Sequence, residues 1–196
     1  MQDFAVYFEL GWQHILDFSG YDHILFVIAL CCTYFISDWR KVVILVTAFT
    51  VGHSLTLALS VFQLVNINTA LIEFLIPVTI VITAFSNVVK QRRTKRANRS
   101  RRTDWLTYSY ALFFGLIHGL GFSNYLRSLL GKASSITGPL FAFNVGLELG
   151  QLAIVFVVLL LSWVATSVFS VSRRDWSFFL SSAIFGIALV MALERV

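Results

Sequence analysis

Charge is what this sequence has least of. Only 13% of its 196 residues are Asp, Glu, Lys or Arg, and mean hydropathy is +0.80. That balance leaves too little polar surface for an ordinary soluble domain. Cysteine is almost missing: Cys31 and Cys32 are neighbours, so a disulfide framework is excluded and both read as packing residues. Nowhere do apolar and polar residues alternate over the length of a barrel strand. Continuous apolar runs of about 20 residues recur instead, the length that crosses about 30 Å of hydrocarbon. No phosphate-binding glycine loop of the GxxxxGK(S/T) type occurs, and no basic segment precedes an apolar core at the N-terminus, so neither ATP hydrolysis nor a cleavable signal peptide is expected. The composition therefore describes an all-α polytopic membrane protein forming a single membrane domain over residues 1–196.

Six spans are expected, at about 19–36, 41–62, 70–89, 105–126, 139–165 and 176–193. Residues 1–18 mix aromatics with acids and read as a short interfacial helix anchored by Trp12. Pro77 falls in the first half of span three and should kink it, because proline supplies no backbone donor. The excess of positive charge, +5 overall, comes mainly from residues 90–104, which hold eight Lys and Arg. This reads as a solvated cytoplasmic loop that fixes topology and touches anionic lipid headgroups, not as a nucleic-acid surface. Loops 37–41, 90–104 and 165–175 carry 12 of the 15 Lys and Arg, leaving Arg127, Lys132 and Arg195 opposite. Both termini are thus expected on the non-cytoplasmic side of a bacterial inner membrane.

The informative residues are the ionisable ones inside the apolar runs. A charged group at that depth costs at least a few kcal/mol unless paired or coordinated, so each is a functional candidate. At 1.5 Å per residue, His53 lies roughly 14 Å from the outer end of span two and His118 roughly 12 Å from that of span four. Glu148 lies roughly 14 Å from the outer start of span five. Asp22 and His23 sit within about two turns of the outer end of span one, with His14 just before it. All four histidines of the chain, with Asp22 and Glu148, thus fall at one level in the outer half. Imidazole with carboxylate suits Ni, Co, Zn or Fe, and two ionised carboxylates would balance a divalent cation. Gly52, Gly115, Gly119, Gly146 and Gly150 flank these residues in small-xxx-small patterns that allow helices to approach closely. His14 also fits an interfacial surface histidine, Glu73 a snorkelling or entrance residue, and Ser54 and Thr56 ordinary partners of helix carbonyls.

Five stretches together resemble the HupE/UreJ family of membrane proteins: Gly-Trp-Gln-His-Ile (11–15), Gly-Tyr-Asp-His-Ile-Leu-Phe (20–26), Phe-Thr-Val-Gly-His-Ser-Leu-Thr-Leu (49–57), Phe-Gly-Leu-Ile-His-Gly-Leu-Gly-Phe (114–122) and Phe-Asn-Val-Gly-Leu-Glu-Leu-Gly-Gln-Leu (143–152). The resemblance implies transition-metal uptake, of nickel or cobalt, with a His/Asp-rich site near the first span. By matching motif it assigns metal binding to His14, Asp22, His23, His53, His118 and Glu148. One departure is visible: members commonly place five residues between the histidine and the Asp-His pair, whereas seven separate His14 from Asp22 here.

Three functions are compatible with these residues. The first is a permease for a divalent transition metal, with membrane lipids and the ion as its partners. The second is an intramembrane zinc-dependent hydrolase, in which the same cluster activates a water against a lipid or amide bond. The sparse polar residues in the inner halves of spans one, two and five lean toward that reading; Thr47, Thr50, Tyr108, Ser109 and Tyr110 are the obvious stepping stones for an ion. The third is a metal-free accessory protein with a buried hydrogen-bond network.

Overall fold

A computed structural model describes residues 2–18, 20–65, 68–93, 101–130 and 136–196. The described residues form seven α-helices and no strand: α1 (Gln2–Ile15), α2 (Asp22–Cys31), α3 (Trp39–Val61), α4 (Thr69–Arg93), α5 (Arg101–Leu130), α6 (Thr137–Ser167) and α7 (Arg173–Glu194). A 3-10 turn over Ile36–Asp38 leads into α3. Ser19 at the start of the first expected span, residues 66 and 67 of the second link, residues 94–100 of the basic loop and residues 131–135 lie outside the described residues.

Helices are what this composition requires, because backbone groups in hydrocarbon must find partners within their own segment. The segments Ile36–Val61, Thr69–Lys90, Thr137–Ser167 and Arg173–Glu194 are long and apolar enough to cross a membrane. α5 has the length, at 30 residues, but Thr107–Tyr110 and His118 dilute its hydrophobicity. The surface is apolar where a soluble protein's would be polar: Phe113, Phe141, Phe156, Phe179 and Leu193 are all more than half exposed. Histidines, threonines and serines are buried instead. Helix ends carry ordinary local signals. Ser172 caps α7 by accepting from the Asp175 N–H at 3.1 Å and donating to its carboxylate at 2.6 Å. Gln63 and Ser170, both left-handed, turn the chain after α3 and α6.

Glycines set which helices pair. A Cβ added at Gly52 would collide with the carbonyl of Leu112 on α5, and one at Gly115 with the carbonyl of Phe49 on α3. Likewise, one at Gly11 would strike the carbonyl of Phe143 on α6, and one at Gly146 the carbonyl of Phe8 on α1. Further along, Gly119 meets the carbonyl of His53 as Gly115 meets that of Phe49, and Gly150 meets Trp12 and Ile15 as Gly146 meets Phe8, so α3 runs parallel to α5 and α1 parallel to α6. α4 and α7 are antiparallel: Arg195 meets Glu73 at one end and Phe85 meets Phe185 further along. Only a few residues join α5 to α6, which makes them antiparallel. Thus α1, α4 and α6 run one way, and α3, α5 and α7 the other.

Two parts of the expected layout change. The span expected at 19–36 is realised as α2, whose ten residues cover about 15 Å, half the hydrocarbon thickness. The segment 1–18 does not lie apart as an interfacial helix: α1 is clamped along α6 as far as Gly150, which packs on Ile15. α2 runs in the direction of α1, from Asp22 beside Arg195 to Ala29, whose carbonyl takes the Asn87 amide at 2.7 Å. Together α1 and α2 total 24 residues, about 36 Å. α1 ends at Ile15 and α2 begins at Asp22. Composition alone did not show this, because packing of α1 along α6 is a tertiary contact that hydropathy does not encode.

Candidate metal centre

The interruption sits where the histidines meet. His14 ends α1, His23 opens α2 and His53 lies mid-way along α3; one nitrogen from each falls within 4.8 Å of the others. The ring centroids of His14 and His23 are 4.6 Å apart, and each lies 5.9 Å from that of His53. His14 Nε2, His23 Nε2 and both ring nitrogens of His53 are buried with no hydrogen-bond partner. Each such orphan costs about 1–3 kcal/mol of lost hydration. Three convergent imidazoles bearing that cost are an arrangement a cation repairs, since a metal takes the lone pairs that nothing else does.

Asp22 lies between His23 and Arg195. Its Oδ1 accepts the His23 backbone N–H at 3.0 Å and lies 3.2 Å from His23 Nδ1; its Oδ2 lies 3.5 Å from the Arg195 guanidinium. With Nδ1 held by the carboxylate, His23 turns Nε2 toward the other imidazoles, the usual carboxylate–histidine arrangement around metals. Arg195 is held in turn by a backbone defect. Pro77 has no N–H to offer the Glu73 carbonyl four residues earlier, and Arg195 Nη1 donates to that carbonyl at 2.9 Å instead. The Glu73 side chain itself is exposed.

His118 lies 5.2 Å from His23, centroid to centroid, and is fully buried. Thr79 has one hydroxyl proton and gives it to the Ile76 carbonyl at 2.7 Å, so at 2.9 Å it accepts from His118 Nε2. That fixes the tautomer: Nδ1 keeps a lone pair, and it too is buried without a partner. His118 therefore borders the three-histidine group without being one of the nitrogens within 4.8 Å. Glu148 stands further away, on the seam between α3 and α6, where it accepts from Thr47 at 2.7 Å; beside it Gln151 accepts from Thr50 at 2.7 Å. Of the six residues expected, His14, His23 and His53 come together, His118 adjoins them, Asp22 supports His23, and Glu148 belongs to a neighbouring polar group.

Sequence reasoning missed Thr79 and Arg195. Thr79 looked like any intrahelical threonine. Arg195 was visible only as a charge near the chain's end, and the free carbonyl left by Pro77 was the one clue to its partner.

Fold and site define an integral membrane protein, all-helical among its described residues, with a buried imidazole cluster at a helix break. The model of the HupE/UreJ protein family matches residues 1–195, and the chain belongs to that family. Membership points to a membrane protein connected with nickel or cobalt transport. No curated protein and no solved structure matches the chain.

Proposed function

We propose that the protein is a permease for a divalent transition-metal ion, nickel or cobalt, and that His14, His23 and His53 take the ion during passage. The observation that carries this is the convergence of buried, unpartnered imidazole nitrogens from three separate helices. A metal-free accessory network would pair those nitrogens with one another or with hydroxyls. For the hydrolase, the two cavities described border other residues, one lined by Ser60, Thr69, Asn124 and Arg127 and the other by Phe35, Ser37, Trp163 and Arg173.

In this reading the bundle crosses the membrane six times, its first crossing being the interrupted α1–α2. Arg40, Lys41, Lys90, Arg173 and Arg174 face the cytoplasm, and both ends of the bundle face outward. An ion arriving from outside exchanges water for imidazole, with His118 Nδ1 available as a further donor. The carboxylates of Asp22 and Glu148 offset its charge. Inward movement of two charges is favoured by about 4.6 kcal/mol per 100 mV of interior-negative potential, so no nucleotide is needed.

The test is uptake of Ni²⁺ or Co²⁺ into proteoliposomes containing a metal-sensitive dye, with an interior-negative potential imposed. Wild type should accumulate the ion, and His53→Ala and His23→Ala should not. Equal uptake by wild type and both variants would end the proposal.

A further inference from the structure

The helices repeat a pattern. Phe49-Thr-Val-Gly-His-Ser-Leu on α3 matches Phe143-Asn-Val-Gly-Leu-Glu-Leu on α6, and Gly11-Trp-Gln-His14 on α1 matches Gly115-Leu-Ile-His118 on α5. The packing repeats with the motifs. In the α1–α6 pair and the α3–α5 pair alike, each glycine meets the carbonyl of the residue three before its partner's glycine. The aromatic surroundings of the two histidines repeat as well. His14 lies 3.9 Å from Phe122 and 5.9 Å from Phe143, and those two rings are 5.3 Å apart. His118 lies 4.7 Å from Phe26 and 5.3 Å from Phe49, which are 4.8 Å apart. An exchange of α1–α2 with α5, α3 with α6 and α4 with α7 carries one set into the other. Each exchanged pair runs in opposite directions, which is the signature of an inverted repeat.

The halves differ at one place. Phe122 follows His118 by four positions, but Phe26 follows His14 by twelve. The eight additional residues contain the helix break together with Asp22 and His23, so the asymmetry of the repeat is what completes the histidine group.

α3 and α6 exchange with each other and touch, so the repeat's axis passes between them. On one side of Gly52 and Gly146 their seam is pinned by Thr47–Glu148 and Thr50–Gln151. The repeat mates of Thr47, Thr50, Glu148 and Gln151 are Phe141, Asn144, Ser54 and Leu57, which lie on the other side of those glycines. Phe141 and Leu57 have no side-chain group with which to repeat the two hydrogen bonds.

We infer that helices α1–α4 and α5–α7 form an inverted structural repeat, and that the seam of α3 and α6 on its axis is the ion's route, with Thr47, Thr50, Glu148 and Gln151 as the inner gate and Asn144, Ser54 and Leu57, the mates of the last three, as the outer one. This rests on the permease reading. An ion leaving the histidines inward meets hydroxyl, amide and carboxylate oxygens once those two hydrogen bonds part. Alternation follows when each half takes up the other's arrangement.

The experiment uses Cys31→Ala/Cys32→Ser protein carrying Gln151→Cys or, separately, its mate Leu57→Cys. Both are probed with a membrane-impermeant maleimide in right-side-out and inside-out vesicles. Gln151→Cys should react only from the inner face and Leu57→Cys only from the outer. Ni²⁺ should move the two rates in opposite directions, by on the order of tenfold if it brings a minor conformation to dominance. Should either substitution prevent folding, Thr50→Cys and Asn144→Cys form the second mated pair. Reaction of both positions from one face, or rates moved the same way by Ni²⁺, overturns the gate while leaving the permease. A parent that takes up no Ni²⁺ overturns both.

Discussion

Replacing His53 with leucine should stabilise the metal-free protein while abolishing its response to nickel. His53 is fully buried and neither ring nitrogen has a partner. Removing two orphaned polar atoms recovers about 2–6 kcal/mol. Against this stand a shape mismatch of at most about 1.5 kcal/mol for a near volume-conserving change and the loss of ring contacts to His14, His23 and Phe49, the last worth about 0.5–1.5 kcal/mol. With each term at the middle of its range, the net expectation is a gain of about 2 kcal/mol, or a rise of several degrees at about 2–4 °C per kcal/mol. Wild type, by contrast, should gain about 2.7 kcal/mol from Ni²⁺ at a hundredfold excess over its dissociation constant, and the variant essentially none. Thermal unfolding of detergent-solubilised protein, first with chelator and then with Ni²⁺, measures both quantities. If the variant melts below wild type in chelator, or keeps half the nickel-induced shift, the nitrogens are not idle donors waiting for an ion.

Asp22→Asn removes the carboxylate that orients His23 and should weaken Ni²⁺ binding by about 10–100-fold with little change in fold, as titration calorimetry would show. Gly115→Ala drives a methyl into the Phe49 carbonyl and should cost about 1–3 kcal/mol. Gly186→Ala, with nothing within 4 Å, should be neutral or slightly stabilising in the same thermal assay. Acidification should weaken Ni²⁺ binding, because every imidazole that takes a proton loses the lone pair a metal needs; binding isotherms at pH 7.5 and 5.5 should differ in that direction only.

Much of this was legible in the sequence. Long apolar runs announced α3, α4, α6 and α7, and glycines beside histidines announced close helix contacts. The four histidines at one depth announced the cluster. What stayed hidden has a common physical cause: it depends on how backbones are interrupted. The helix expected over 19–36 is realised only as Asp22–Cys31, and composition does not say that the segment before it packs along α6. The contact of Asp22 with His23 was not visible, because spacing cannot tell a group that binds from one that steers its neighbour. The repeat was masked by the eight additional residues between His14 and Phe26, which break the register, although Phe-x-Val-Gly occurs twice in plain view.

Pro77 is read at first as a bend in α4. Replacing it with alanine would return a hydrogen to the backbone, and the Glu73 carbonyl would then be satisfied from within its own helix. Arg195 would be set loose, Asp22 would lose its countercharge, and the imidazole of His23 would sit beside a carboxylate free to turn. A mutation that improves helix α4 on paper should therefore register as altered Ni²⁺ affinity and hardly at all as a change in melting. The missing hydrogen works as wiring, carrying the state of one helix to the charge balance of another.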